Sequence, residues 1–545
     1  MTDQPPSHGR TRRQFLQTAP ALGLAATALP SSAAAGVQGG AHKAPAATTG
    51  EDGRALYQRL GVRPVINARG TLTIIGGSME LPAVREAKSL ANQHYAHLDE
   101  LMDAAGKRLA ELTGAEWGMV SSGCAAAMTH ATAACVAGGN PDLHIRIPDL
   151  RGFAKDEVII PTHSRNVYDA AIRAVGVHIV EAETPEDLAQ AIGPRTAMIY
   201  VFANPRNEAG PMSLEAIARI AAPHGVPIMV DAAAEVLTVP NIHLQRGATL
   251  VGYSGGKILR GPQSAGMLLG RKDLVQAAWI HSAPHHGYAR SMKVGREEVV
   301  GMVVAVEQWV AGNFNVEWAE WVRRAEHIAS RMGTLPGVTA MVFRDVQEER
   351  SNRSPRVTIR WTAAERGLTG ETATALLYDG EPRIALAGGG GGRPGANLSG
   401  DTGIAITTSM LAPGDERIVA DRVHAVLSAP RTLAPVTAMS PPAADLSGQW
   451  IVDIAYIASA STHRLHLRQD GQTVQGTHQG DFLSRDVTGA IDGASVSLVS
   501  RITERTGDSL IYRFSGTLSG ETLSGTLDMG EYRSATWTAR KHEYG

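Results

Sequence analysis

The sequence predicts a two-lobed α/β protein followed by a separate all-β domain. Three observations lead there. The chain has 545 residues, too many for one hydrophobic core, so two to four domains are expected. From about residue 51 to 430, short apolar runs alternate with amphipathic stretches, the signature of a largely parallel sheet covered by helices. Beyond a Pro/Ala-rich segment the texture changes to short strands punctuated by Asp-Gly and Ser-Gly turns.

The N-terminus stands apart. TRRQFLQ (11–17) precedes an uncharged apolar run, APALGLAATALP (19–30), and a small-residue Ala-x-Ala site at Ala33 to Ala35. Arg12 and Arg13 followed by Phe15 and Leu16 match a twin-arginine export signal over residues 1–35, so a periplasmic or extracellular location is expected. The apolar run is too short for a membrane span. Residues 36–50 are small and polar and read as a linker.

The large domain is expected over 51–310. Its strand candidates are GMV (118–120), EVIIP (157–161), AMIYVF (197–202), PIMV (227–230) and TLVGY (249–253). DELMDAAGKRLAELTG (99–114) places Leu101, Met102, Ala105, Leu109 and Leu112 on one helical face and stops at Gly114. MVVAVEQWV (302–310) and VEWAEWVRRAEHIASRM (316–332) read as a long helical connection. A smaller α/β lobe follows over 311–428, with strands in PRVTIRW (355–361), PRIALAG (382–388) and TGIAITTSM (402–410) and a closing helix in DERIVADRVHAVL (415–427). GGGGGRPGANLSG (388–400) reads as a flexible loop. The Pro/Ala linker covers 429–445. Residues 446–545 open on SGQW (447–450), close on TWTAR (536–540) and predict a small barrel or sandwich.

The formal net charge is −2. Removal of residues 1–35 takes away three arginines and one aspartate, leaving 48 basic and 52 acidic side chains, a net −4. No basic stripe or excess points to nucleic acid or an anionic membrane. Cys124 and Cys135 lie about 16 Å apart along one predicted helix, so they cannot bridge.

The chemistry gathers at strand ends. PIMV delivers Asp231, followed by three alanines that leave room for a flat group. Lys257 lies 26 residues further on, in SGGKILRGPQSAG (254–266), among glycines that would clear space for an anion and a ring. A carboxylate and a lysine converging at the rim of an α/β sheet suit pyridoxal phosphate: the carboxylate holds a proton on the pyridine nitrogen and the lysine forms the Schiff base. SSGCAAAMTHATAACV (121–136) runs from a Ser-Ser-Gly turn into a small-residue helix, whose N-terminus offers N–H donors to a phosphate. Ser122, Gly123 and Cys124 supply that cradle, with Ser254 as a further donor. His163, just after a strand, could stack on the ring, and Asn204, after another, could bond its phenolic oxygen. Taken singly, Lys257 could be a phosphate clamp, Asp231 a helix cap, His163 a buried core histidine and Asn204 a turn residue. The constellation is what points to the cofactor.

With these residues in hand, the chain resembles the fold type I pyridoxal-phosphate enzymes. NPRNEAG (204–210) looks like their Asn-Pro-x-Asn-Pro-x-Gly turn, with Glu208 replacing the second proline. INARGTLTIIGGS (66–78), SSGCAAA (121–127), SGGKILRGPQSAG (254–266) and MKVGREEVVG (292–301) resemble the selenocysteine synthase-like group, which includes D-glucosaminate-6-phosphate ammonia-lyase. The resemblance covers about 60–430. It implies Lys257 as Schiff-base lysine, Asp231 as pyridinium partner, Ser122, Gly123, Cys124 and Ser254 around the phosphate, and a homodimer or larger with shared active sites. The tRNA-binding N-terminal domain of the tRNA-acting members has no counterpart before Ile66, and the acidic charge argues against tRNA. The expected substrate is a small amino acid or amino-sugar acid, processed through an α-carbanion. The fates open to it are β-elimination with ammonia release, group transfer and racemisation. Arg69, Arg260 and Arg290 are candidate substrate cations. HSAPHHG (281–287) lacks acidic or cysteine partners and reads as a channel loop, not a metal site. The Gly-x-Trp opening of the β-domain resembles lipocalin-like barrels, and the domain reads as a stabilising or oligomerising appendage. A binding protein with a degenerate pyridoxal core is the non-enzyme alternative, which the intact Lys257 and Asp231 oppose.

Overall fold

The computed structural model describes residues 53–344, 350–387, 401–429, 431, 438–502 and 510–542. The predicted signal, the 36–50 linker, the loop 388–400 and residues 430 and 432–437 of the Pro/Ala linker lie outside the described residues. Residues 53–62 belong to a unit of their own, with a short helix α1 (Gly53–Arg59).

From residue 63 on, the chain opens with β1 (Val65–Ala68), α2 (Pro82–Ala91) and α3 (Leu98–Thr113). Helix α3 buries Met102, Ala105 and Leu109 and ends where Gly114 takes φ 75°, a left-handed conformation that costs glycine little. Then come β2 (Trp117–Ser121), α4 (Cys124–Ala137), β3 (Glu157–Pro161), β4 (His178–Ala182), β5 (Thr196–Phe202), α5 (Leu214–Ala221), β6 (Ile228–Asp231), β7 (Leu250–Ser254) and β8 (Gly266–Gly270). They form one seven-stranded sheet in the order β2-β8-β7-β6-β5-β3-β4. Only β8 runs against its neighbours. The central strands are largely apolar because helices cover both faces, as parallel sheets require, while the edge strand β4 exposes His178 and Glu181. Helix α4 is apolar on every side, so it is buried from Cys124 to Ala137 save for Ala125. Both cysteines are free and buried in it.

Helices α6 (Lys272–Ile280), α7 (Arg296–Val310) and α8 (Asn313–Met332) lead to the second lobe. There β9 (Val338–Phe343), β10 (Arg356–Thr362) and, after α9 (Gly370–Asp379) and β11 (Arg383–Leu386), β12 (Asp401–Thr407) are followed by α10 (Asp415–Ser428). The sheet β12-β10-β9 is antiparallel. The sequence places Val65–Ala68 in the large domain. Instead β1 pairs in parallel with β11, and Ile66 and Ala68 pack with Ile384 and Leu386 in the small-lobe core. Among the described residues no single helix is long and apolar enough to cross a membrane.

The C-terminal domain is a closed eight-stranded antiparallel barrel rather than a sandwich. Its strands are β13 (Gly448–Ala455), β14 (Ala460–Asp470), β15 (Thr473–Gln479), β16 (Ser484–Asp492), β17 (Ser495–Arg501), β18 (Ile511–Ser519), β19 (Thr522–Asp528) and β20 (Ser534–Lys541). Strand β20 pairs with β13, which removes both edges. Alternate residues point inward, and Trp450, Phe514 and Trp537 fill the interior.

Candidate active site

Every parallel strand of the large sheet ends on the same rim, where polar groups emerge from an apolar core. Asp231 closes β6 and is only 2% exposed. Three donors hold its carboxylate. The Tyr200 hydroxyl donates to Oδ2 at 3.0 Å, the Ala233 N–H to Oδ1 at 3.1 Å, and the Cys124 thiol to Oδ1 at 3.4 Å. Burial first, and the neighbouring Asp231 charge next, push the pKa values of Cys124 and Tyr200 well above their ordinary values. Both therefore stay protonated and donate. Asn166 anchors Tyr200 from behind, with Nδ2 3.0 Å from its hydroxyl. Among the described residues no cation pairs with Asp231.

Lys257 lies in the turn after β7. Its ammonium has no hydrogen bond or ion pair among the described residues, although it lies close enough to ease the Cys124 thiol's pKa back down. The lysine turn is fixed from both sides. Gln263 Nε2 donates to the Gly256 carbonyl at 2.8 Å and to the Ser78 carbonyl at 3.0 Å. Ile258, the next residue, packs with Val236 and Trp321. The crowding of glycine thus has another cause than the one the sequence suggests. A Cβ on Gly256 would stand 2.5 Å from the Gln263 amide, so the space is taken by protein atoms that clamp the turn, not reserved for a ligand.

Gly123 caps α4 with φ 110°, a conformation that favours glycine, and no side chain caps the helix. The first helical bond returns from Ala127 N to Gly123 O, which leaves the N–H groups of Cys124, Ala125 and Ala126 aimed out of the helix end. Ser122 and Ser254 are half-buried beside it at the ends of β2 and β7.

His163 follows β3 and is half-buried. Its Nε2 lies 2.8 Å from Asn207 Nδ2, so that nitrogen accepts the bond. Burial, with Arg206 assisting, lowers its basicity and favours the neutral ring. Asn204 is otherwise engaged. Its Oδ1 accepts the Arg206 N–H at 2.9 Å and its Nδ2 donates to the Phe202 carbonyl at 2.8 Å, so it shapes the turn that delivers Asn207. Glu208, in place of the second proline, pairs with Arg246 at 2.7 Å and with Arg350.

A cleft of about 320 Å³ opens beside Ile258, the residue after Lys257. Arg69, Thr71, Asn352, Arg353 and Thr407 line it, drawn from both lobes. Arg69 reaches it because Asn67 folds the chain back, accepting the Arg69 and Gly70 N–H groups at 3.0 Å each. Arg260 does not reach it. Its guanidinium pairs with Glu317 and donates to the Met79 carbonyl at 3.1 Å, the role of a structural ion pair. Arg290 is exposed on the turn after Gly287 and lines no part of the cleft. Among the described residues no group of histidine, cysteine and carboxylate could hold a metal, and His281 is buried against His144 at 4.4 Å between ring centroids.

Tyr200, Asn166, Asn207 and the Asn352–Arg353 wall are absent from the sequence-based site. Tyr200 lies inside an apolar run that reads as core, and its hydroxyl is the only local hint.

The parts match the demands of pyridoxal phosphate. A buried carboxylate held only by neutral donors lacks a cation, which a protonated pyridine provides. An uncapped helix end lacks an anion, which a phosphate provides. A lysine with no partner among the described residues lies near the carboxylate's Cys124 donor.

No family model matches the chain. It is 32% identical over 341 residues to D-glucosaminate-6-phosphate ammonia lyase of Salmonella typhimurium, covering 60% of this chain and 88% of that protein. It is 34% identical over 346 residues to 5'-C-glycyluridine monooxygenase-decarboxylase of a Streptomyces species, covering 61% and 83%. L-seryl-tRNA(Sec) selenium transferase of Moorella thermoacetica is 30% identical over 254 residues, 41% of this chain and 52% of that protein. A solved structure of D-glucosaminate-6-phosphate ammonia-lyase superposes with a TM-score of 0.59 at 29% identity, over 68% of this chain and 98% of that one. The chain belongs to the fold type I, pyridoxal-phosphate-dependent family that holds D-glucosaminate-6-phosphate ammonia lyase and L-seryl-tRNA(Sec) selenium transferase.

Proposed function

We propose that this enzyme is a lyase that releases ammonia from a small hydroxy amino acid or an amino-sugar acid, with Lys257 as covalent anchor and base and Asp231 as partner of the ring nitrogen. The observation that carries the reading is the buried Asp231 carboxylate, held by neutral donors alone, near a lysine without a partner among the described residues.

Bound pyridoxal phosphate supplies an electron sink for negative charge at the substrate's α-carbon. Asp231 keeps a proton on the pyridine nitrogen, and Tyr200, Cys124 and Ala233 N–H stop the carboxylate from turning away. The open N–H groups of α4, with the Ser122 and Ser254 hydroxyls, bind the phosphate. His163, its ring fixed by Asn207, would stack on the cofactor ring. Lys257 takes the proton from the α-carbon, and Arg69 binds the substrate's anionic group at the cleft. The β-hydroxyl leaves as water with the proton that Lys257 removed, and one water is then consumed in hydrolysis to give ammonia and a keto acid. Elimination is preferred to group transfer or racemisation because the Salmonella relative, matched over 88% of its length, is an ammonia lyase. The enzyme works as a homodimer or larger assembly, and Arg12 and Arg13 direct it out of the cytoplasm already folded and loaded.

The test is an ammonia-release screen of the purified holoenzyme with 3-hydroxy amino acids and amino-sugar acids, with an oxygen electrode in parallel. Ammonia release without oxygen uptake, lost in Lys257→Ala, supports the reading. The Streptomyces relative favours a second one: oxygen consumed with carbon dioxide released and no ammonia lyase activity would replace elimination by oxidative decarboxylation.

A further inference from the structure

A carboxylate offers two lone-pair sites on each oxygen. On Asp231, Oδ1 accepts the Ala233 N–H at 3.1 Å and the Cys124 thiol at 3.4 Å, and so is filled. Among the described residues Oδ2 accepts the Tyr200 hydroxyl alone, at 3.0 Å. One site on Oδ2 is left open. A proton donor seeking this carboxylate therefore meets Oδ2, the oxygen that Tyr200 already touches. Sheet register places the tyrosine there. Phe202 of β5 pairs with Asp231 of β6, and Tyr200, two residues earlier, shares the face of Phe202.

A tyrosine beside a carboxyl group can donate to it or accept from it. Here Asn166 decides which. It follows β3, three residues after His163, and caps the short turn Val167–Asp169. Its Oδ1 accepts the Tyr168 N–H at 2.8 Å. A backbone N–H can only donate, which fixes the orientation of the amide. Nδ2 then has two protons to place. One goes to the Ser164 carbonyl at 2.9 Å and the other to the Tyr200 oxygen at 3.0 Å. Tyr200 thus accepts from behind, and its own proton is directed to Asp231 Oδ2. Asn166 is 1% exposed and Tyr200 is fully buried, so bulk water does not compete for either bond.

The chain of donors runs one way, from Asn166 through Tyr200 to Asp231. A donor already on Oδ2 lowers that oxygen's pull on a second proton. The position of the carboxylate does not hang on this bond, because Oδ1 keeps its own two. Loss of the Tyr200 hydroxyl changes how strongly Oδ2 pulls, not where it sits.

We propose that Asn166 and Tyr200 are positioning residues for the cofactor: their one-way chain leaves a single acceptor site on Oδ2 for the ring N–H and keeps the shared proton on the ring nitrogen rather than on the carboxylate. The inference rests on the reading of Asp231 as partner of that nitrogen.

Holoenzyme loaded with pyridoxal phosphate isotopically labelled at the ring nitrogen tests it. The probe is the ring N–H proton in a nitrogen-edited NMR spectrum, whose position follows the pull of the facing oxygen. Tyr200→Phe is expected to move that proton downfield and to move the nitrogen resonance toward that of unprotonated pyridine. Asn166→Ala is expected to move both the same way by less, because Tyr200 still donates but is no longer polarised from behind. Asp231→Asn is expected to abolish the proton resonance. Circular dichroism and thermal unfolding show whether each variant is folded. A purely structural role would lower Tm and leave the ring resonances in place. If Asp231→Asn leaves the resonance unchanged, the reading of Asp231 fails and this inference with it. If Asp231→Asn abolishes it while Tyr200→Phe matches wild type, the chain alone is overturned. An Asn166→Ala spectrum identical to wild type removes Asn166 from it.

Discussion

Asp231→Asn keeps the side chain's shape and removes its charge. The apoprotein and the holoenzyme respond in opposite ways. Without cofactor the carboxylate is 2% exposed, faces no cation among the described residues, and keeps only the hydrogen bonds from Tyr200, Cys124 and Ala233. Burying such an anion costs several kcal/mol, which three charge-assisted bonds of about 1.5–3 kcal/mol each offset. An amide gives up the penalty along with much of the bonding, so apoprotein stability shifts by about 1 kcal/mol or less in either direction. In the holoenzyme proposed above, the same carboxylate would pair with the ring cation. Breaking one side of a buried pair costs about 3–5 kcal/mol, roughly a 100- to 5,000-fold loss of cofactor affinity. At a cofactor level about 100 times the wild-type Kd, binding stabilises the wild type by about 2.7 kcal/mol and the variant by about 0.4 kcal/mol or less. Thermal unfolding of both proteins, with and without cofactor, reads all four states, and a visible-light titration reads the Kd. A variant that binds cofactor within about three-fold of wild type would refute the pairing.

Cys124 and Cys135 are buried. Burial and Asp231 hold the first thiol's pKa high, and burial pushes the second up to about 12. Neither should react with a thiol reagent near neutral pH in the native protein, and both should react after unfolding. Arg69→Ala is expected to raise KM about 10-fold with unchanged Tm, whereas Arg260→Met, which strands Glu317, is expected to cost about 1–3 kcal/mol of stability with KM unchanged. Burial lowers His130 to about 4, and His281 and His478 to about 3, from an ordinary value of 6.5. The unfolded chain binds these protons first, so the stability they confer is complete above pH 6.5 and is lost as pH falls toward 3. Unfolding followed against pH should show that loss, and His478→Gln should flatten it for the barrel.

The strand ends were legible because runs such as VIIP and IMVD announce a buried parallel sheet within a few residues, and Asp231 at the end of such a run has no core role. What eluded the sequence was set by distant partners. Strand β1 has four residues and pairs with β11 some three hundred positions later, a match with no local signature. Asn204 and Asn207 sit in the same turn, and only folding shows that the first is spent on the turn itself while the second meets His163. Arg260 lies inside the lysine motif, yet its partner Glu317 sits on another helix. Barrel closure depends on the first and last strands of the domain meeting, which alternation alone does not encode.

The proposed chemistry depends on a covalent bond between cofactor and protein at one lysine. Treating the purified, yellow enzyme with borohydride, digesting it and sequencing the labelled peptide tests that claim directly. A single pyridoxyl group is expected on Lys257, in the peptide spanning 254–266. A colourless protein that takes up no cofactor, or a label on any other lysine, would contradict it.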